Sequence, residues 1–169
     1  MAVLGRTVTS LEDSPAREIA LHNSEGEPIK GVSVFLRLLP RPLSEKLIRP
    51  AMRKARGKDE DAAEEAISRW MREHTAKALV DTKEFGWGFD DQGAVDAYKD
   101  HFPGLKVGDV VTFDGKWSES LKEKFFADNP AVVALFVDAY KRLAQIGSQD
   151  RREEDEGKED TSLTGSPSA

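Results

Sequence analysis

The chain of 169 residues contains no cysteine, which excludes disulfide bonds, cysteine-ligated zinc and a thiol nucleophile. It also has no apolar run near the ~18 residues that a membrane-spanning helix requires. Its N-terminus lacks the apolar segment of a secretory signal, so we expect the protein in the cytoplasm and not in a membrane. Hydrophobic residues make up only 38% of the chain and charged residues 33%. These proportions predict a modest core, with part of the chain solvated or disordered.

The sequence also lacks the common catalytic and ligand-binding motifs. There is no Gly-x-Ser-x-Gly nucleophile elbow, no phosphate-binding Gly-x-x-x-x-Gly-Lys loop and no EF-hand loop. The three histidines, His22, His74 and His101, stand at no metal-ligand spacing. His74 falls on the apolar face of a predicted helix, which is typical of a core histidine. We therefore expect a protein without catalytic residues, metal ligands or cofactors.

Positive charge is concentrated in one segment of an acidic protein. The whole chain has a formal net charge of −6, which argues against a general nucleic-acid binder. Residues 41–58, in contrast, carry seven Lys and Arg residues against the single Glu45, a net charge of +6. The segment is either a partner-binding face or a solvated helix flank that pairs with the acidic stretch after it.

Hydrophobic periodicity predicts an α+β fold that is mainly helical. Residues 17–39 read as a β-hairpin, because two runs of period-two alternation flank a turn rich in glycine and polar residues. Residues 41–147 read as a small bundle of about four to five helices on which the hairpin packs. We expect a flexible arm over residues 1–16 and a disordered, acidic polar tail over residues 148–169.

Capping signals set the expected helix bounds. The predicted helices span residues 43–56, with Pro50 inside, residues 59–80, and a short stretch from residue 94 to 102. A fourth helix follows the capping residue Ser118. The last one begins at Asn129-Pro130 and is expected to end at Gly147.

An aromatic and glycine-rich stretch over residues 83–91 reads as a loop. Its aromatic residues Phe85, Trp87 and Phe89 could form a stacking platform for single-stranded nucleic acid. Acidic residues surround them, however, so the favoured interpretation is an aromatic plug at one end of the core. The run from residue 105 to 113 reads as a short extended segment ending in a turn.

The order of features in the second half of the chain has a known counterpart. It comprises Asp114-Gly115-Lys116, the helix capped by Ser118, the turn Asn129-Pro130, and a last helix containing Asp138-Ala139-Tyr140. In the first half, Pro42-Leu43-Ser44 opens a charged helix after the hairpin. This order resembles the tail assembly chaperones of long-tailed, siphovirus-type bacteriophages. The resemblance covers roughly residues 17–147, and the stretch 91–107 departs from it as an insertion.

The resemblance implies a non-catalytic protein of the host cell cytoplasm. Such a chaperone binds the tape-measure protein, keeps its hydrophobic helices soluble, helps recruit tail-tube subunits and is absent from the mature virion. Two alternatives stay open: a structural tail or neck component of the virion, and a nucleic-acid-binding regulator that would use the basic residues of segment 41–58. Self-association is also possible.

The candidate partner-binding surface lies on the predicted helix 43–56. An acidic or amphipathic client helix would meet Arg49, Arg53 and Lys54 by charge. It would bury the apolar side chains Leu47, Ile48 and Met52. These apolar residues could equally face the core of the protein itself.

Overall fold

The computed structural model describes residues 15–57 and 59–163, and its side chains up to Ile146 except at four positions of the first helix. Within these residues the backbone forms five strands and five helices. The strands are β1 (Ala16–His22), β2 (Pro28–Arg37), β3 (Leu79–Lys83), β4 (Gly86–Phe89) and β5 (Asp109–Thr112). The helices are α1 (Arg41–Ala55), α2 (Glu60–Ala78), α3 (Gln92–Tyr98), α4 (Glu119–Asp128) and α5 (Pro130–Leu163). The expected α+β fold with mainly helical content is confirmed; nearly all of the predicted arm, residues 1–16, lies outside the described range.

The predicted hairpin forms and becomes part of a three-stranded antiparallel sheet. Strands β1 and β2 pair with Ile19 opposite Val34, and the side chain of Asn23 closes the turn by accepting hydrogen bonds from the amides of Glu25 and Glu27, both at 3.0 Å. Strand β3 pairs with β2, so the sheet order is β1-β2-β3. The face of β2 that carries Val34 and Leu36 is fully buried, and α5 packs against β1 and β2.

Strand β3 corrects the predicted end of the second helix. The sequence placed residues 79 and 80 in that helix, but α2 ends at Ala78 and the chain enters β3 without a loop. Leu79 and Thr82 are buried on pairing opposite Leu36 and Val34 of β2. The helix therefore ends at Ala78 because the following residues are buried in the sheet. The local helix propensity of the sequence does not indicate this end.

Strand β4 corrects a second prediction, because residues 83–91 were expected to be a loop. Residues 86–89 pair with β5 in a separate two-stranded sheet, with Trp87 opposite Val111. Gly86 and Gly88 weaken the strand pattern, since glycine is depleted in strands. The extended segment expected around residues 105–113 contains β5.

The predicted cap Ser118 is confirmed, because it accepts a hydrogen bond from the amide of Leu121 at 3.2 Å. Asp59, predicted at the start of α2 for its charge, also caps that helix by accepting from the amide of Ala62 at 2.8 Å. Pro50 lies inside α1, which begins at Arg41 rather than at residue 43. The side-chain amide of Asn129 donates to the carbonyl of Phe125, at the end of α4.

The last helix passes the end that was predicted at Gly147. Its backbone continues to Leu163, so residues 148–163 are helical where the sequence predicted no regular structure. A glycine costs only about 1 kcal/mol in a helix interior, so it does not end a helix unless another signal follows. That the polar segment adds nothing to the packed core stays a prediction from its composition.

Aromatic side chains form the centre of the core. Phe85 and Phe89 are buried and Trp87 is half-buried, which agrees with the aromatic plug and not with an exposed stacking platform. The ring of Phe85 lies within about 6 Å of several neighbouring rings, measured between centroids. These neighbours include Phe113, Trp117, Phe125 and Phe136.

A carboxylate joins the two sheets beside this core. Asp114, in the turn after β5, accepts hydrogen bonds from the hydroxyl of Thr82 at 2.8 Å and from the amides of Glu84 and Phe85 at 2.6 and 3.2 Å. Trp117 donates its indole N–H to Thr82 at 2.9 Å. Partial burial raises the pKa of Asp114, but the hydrogen bonds donated to the carboxylate outweigh burial and the pKa is lowered.

The buried face of β2 can be tested by placing a charge in it. We expect Leu36→Asp to lower the free energy of unfolding by about 3 kcal/mol or more, because the carboxylate has no partner in that interface. Ala20→Asp, at an exposed position of β1, is the matched control and should change stability by about 0.5 kcal/mol or less. Urea denaturation measures both. Equal midpoints for Leu36→Asp and wild type would show that the hairpin does not pack on the helices.

The backbone of β2 gives a second test. Gly31 has a φ of +79°, and a Cβ at this position would lie 2.5 Å from Oε2 of Glu84. Gly26 has a φ of +84° with no atom within 4 Å of its Cβ position, so Gly26→Ala measures the cost of the backbone conformation alone. We expect each alanine to destabilise the protein by about 1 kcal/mol or more and by similar amounts, because the carboxylate of the exposed Glu84 stands at the end of a flexible side chain and can move away from the new Cβ.

The cost of Gly31→Ala should therefore stay the same when Glu84 is also changed to alanine. Thermal unfolding of the single and double variants measures this coupling. A markedly smaller cost of Gly31→Ala in the Glu84→Ala background would show instead that the carboxylate is held against Gly31 and cannot move away.

Candidate partner-binding surface

Helix α1 carries the surface that the sequence singled out. Pro40 precedes the helix and a proline occupies its first turn, where the amide groups have no intrahelical acceptor in any case. Arg53 and Lys54 lie in the last turn, where cations interact favourably with the helix dipole. Among the described elements, the main packing partner of α1 is α2.

The candidate residues divide between exposed and half-buried positions. Arg49, Arg53 and Lys54 are exposed, and Met52 exposes 47% of its surface. Ile48 is half-buried. Among the side chains of α1 that the structure describes, Ala51 is the buried one. Leu47 lies in α1, but its side chain is outside the described set.

The basic side chains lie on two sides of α1. Arg49 and Arg53 are one turn apart and line a shallow groove together with Glu45, Lys46 and Pro50. Lys54 instead lines the groove between α1 and α2. The structure therefore does not place all the predicted cations in one cluster.

Sequence reasoning missed the contribution of α2 to this surface. Arg69 and Trp70 of α2 line the same groove as Lys54. Trp70 belongs to the apolar spacing that predicted the helix, but it was not among the predicted partner-binding residues. Ala66 of the same spacing and Ala62 were the available signal, because small side chains leave space between packed helices.

His74 follows Trp70 by one turn of α2 and is a core histidine, as predicted. Only 3% of its surface is exposed, and its ring contacts those of Trp70 and Tyr140 edge-on at centroid distances of 5.1 and 4.8 Å. Neither ring nitrogen has a hydrogen-bond partner among the described residues. Burial lowers the pKa of His74 to about 4. The imidazole is therefore neutral at physiological pH.

The described residues contain no group of three or more potential metal-ligating side chains of the His, Cys, Asp or Glu type. None of the described helices is both long and apolar enough to cross a membrane.

Comparison with protein-family models, with curated proteins and with solved structures finds no match to this chain.

Protonation of His74 should couple stability to pH. The pKa is about 4 in the folded state and near 6.5 when unfolded, so between these values the unfolded chain binds a proton that the folded chain does not. Stability is thus fully present above about pH 6.5 and falls as the pH drops toward 4, by about 3 kcal/mol in total.

The measurement is urea denaturation across this pH range for wild type, His74→Phe and the control His101→Leu. Carboxyl groups also titrate near the lower end, so the difference between wild type and variant isolates His74. We expect a flatter pH dependence in His74→Phe alone. Parallel curves for all three proteins would contradict a buried neutral imidazole.

Proposed function

We propose that this protein is a tail assembly chaperone of a long-tailed bacteriophage. In this role it binds the tape-measure protein in the host cell cytoplasm, keeps its hydrophobic helices soluble, helps recruit tail-tube subunits and is absent from the mature virion. The proposal draws on the order of sequence features over residues 17–147 that resembles this class. It assigns the protein a binding role without a covalent step.

The exposed face of α1 is the observation that carries the proposal. Met52 exposes 47% of its surface on the helix that also exposes the cations Arg49, Arg53 and Lys54. An exposed helix surface that combines an apolar side chain with several cations suits an amphipathic helix that carries acidic residues. The apolar contact contributes affinity by burial, and the charges favour helices with carboxylates over basic ones.

The test is co-expression with the candidate tape-measure protein. Wild type should keep that client soluble and co-purify with it. The triple variant R49E/R53E/K54E should co-purify with markedly less client, because it replaces attraction by repulsion. The difference should be largest at low salt, where charges act over distances of about 10 Å or more, and should shrink as salt is added.

The matched control is K30E/K99E/K106E, which makes the same change in net charge at three exposed lysines outside α1. It should co-purify with as much client as wild type does. If wild type neither solubilises nor binds the tape-measure protein, the proposed function is wrong. If both triple variants bind equally well, the function stands but the α1 surface does not carry it.

Two further measurements separate the alternatives. Proteomics of purified phage particles should not detect a chaperone, whereas a structural tail or neck component would be present in stoichiometric amounts. A salt-dependent DNA gel shift by wild type would instead favour the nucleic-acid-binding regulator.

A further inference from the structure

Helices α1 and α2 enclose a groove of about 480 Å³, which is within the usual size range of ligand-binding pockets. Its apolar lining comes from Pro50 and Ala51 of α1 and from Ala62, Ala66 and Trp70 of α2. Alanine and proline side chains are small, so they leave space between the two helices. The half-buried ring of Trp70 is the largest apolar group that borders this space, and the rest of the lining is charged.

The rim of this α1–α2 groove is more basic than acidic. Lys46, Lys54 and Arg69 face two carboxylates, Glu65 and Glu73. One of these, Glu65, is 4.0 Å from Arg69, and both partners are more than half exposed, so this ion pair is weak. The cations Arg49 and Arg53 extend the positive charge onto the outer face of α1, where they line a shallow groove with Lys46 and the carboxylate Glu45.

A second groove, between α2 and α5, has the opposite balance. It measures about 900 Å³ and is lined by apolar residues that include Ile67 and Met71. Its charged residues are three carboxylates and two cations. They are Glu60, Glu64, Asp138, Arg72 and Lys141. The two grooves thus flank the same helix but present different charge to a partner.

We infer that the α1–α2 groove is the anchor site for an acidic amphipathic helix of the partner protein. A large apolar side chain of that helix packs against Trp70, and its carboxylates face Lys46 and Lys54. Charge complementarity selects this occupant, since a basic helix would meet the like charges of α1. The inference rests on the proposed function and adds the groove, the residue Trp70 and the acidic character of the bound helix.

Alanines on the two sides of α2 provide matched variants. Ala66 lines the α1–α2 groove and Ala63 lines the α2–α5 groove. Both are half-buried, so Ala66→Phe and Ala63→Phe place the same added volume in one groove or the other. Ala66→Phe fills the anchor site and should weaken helix binding about tenfold or more. Ala63→Phe should leave binding unchanged.

The probe is a labelled peptide of roughly 20 residues, long enough to form a helix, with leucine on one face and glutamate on the other. Its twin carries lysine in place of glutamate. Fluorescence anisotropy with the full-length protein should show tighter binding of the glutamate peptide.

A second pair of variants, Lys46→Glu and Lys141→Glu, changes only surface charge. This pair tests the inference even if a phenylalanine variant unfolds. Lys46→Glu should weaken binding and Lys141→Glu should not.

The outcomes separate this inference from the proposed function. Loss of peptide binding in Ala63→Phe or Lys141→Glu, with Ala66→Phe and Lys46→Glu unaffected, would place the helix in the other groove and overturn the inference. Equal binding of the two peptides would also overturn it. If wild type co-purifies with the tape-measure protein and Ala66→Phe does so equally well, the function survives and the groove assignment fails. If the peptides follow the expected pattern but the tape-measure protein does not bind, the function fails alone.

Discussion

The carboxylate of Asp114 holds the two sheets of this protein in one arrangement. It lies in the turn after β5 and accepts hydrogen bonds from Thr82 and from the amides that follow β3. Asp81 reinforces the same junction, because its carboxylate accepts the amide of Gly115 at 2.8 Å. Since both aspartates bridge segments that are about thirty residues apart in sequence, the intervening chain must fold back and close the aromatic core.

The same junction fixes the C-terminal end of α2. Lys122, only 7% exposed, donates from its ammonium group to the carbonyl of Leu79 at 2.6 Å, where α2 becomes β3. A buried ammonium group requires such a partner, so this contact places α4 against the end of α2. The N-terminal half of α2 has grooves on both sides instead. The candidate surface is therefore built on a helix that is anchored at one end and accessible at the other.

Sequence patterns predicted the elements that are determined by residues close together in the chain. Period-two alternation predicted the hairpin, the acidic residues that begin at Asp59 predicted the start of α2, and the capping residue Ser118 predicted the start of α4. The patterns failed where distant partners decide the structure. Leu79 continues a helical pattern in sequence, but pairing with β2 makes it a strand residue. The sequence around Gly86 and Gly88 favours a loop, but pairing with β5 makes this segment a strand.

The candidate surface also has features that can be predicted from one segment and features that depend on contacts between segments. The sequence identified the cations of α1 and the exposed Met52, because charge and helical spacing can be read along one segment. The groove beside them depends on the crossing of two helices, and Ala66 gives no sign in sequence of which neighbour it faces. The burial of His74 was predictable from its position on an apolar stripe. The lack of hydrogen-bond partners at its ring could not be predicted, because that depends on Tyr140 of α5.

The pairing of β3 with β2 also sets an order of events during synthesis. The hairpin of β1 and β2 leaves the ribosome first, but the strand that completes its sheet comes only after residues 38–78. Until then one edge of β2 has unpaired backbone groups, and edges of this kind are prone to pairing with other chains. Contacts between α1 and α2 lie within this connection, so they offset part of the entropy cost of closing the long loop between β2 and β3. The helices that carry the candidate surface are thus also the connection that brings the third strand to the sheet.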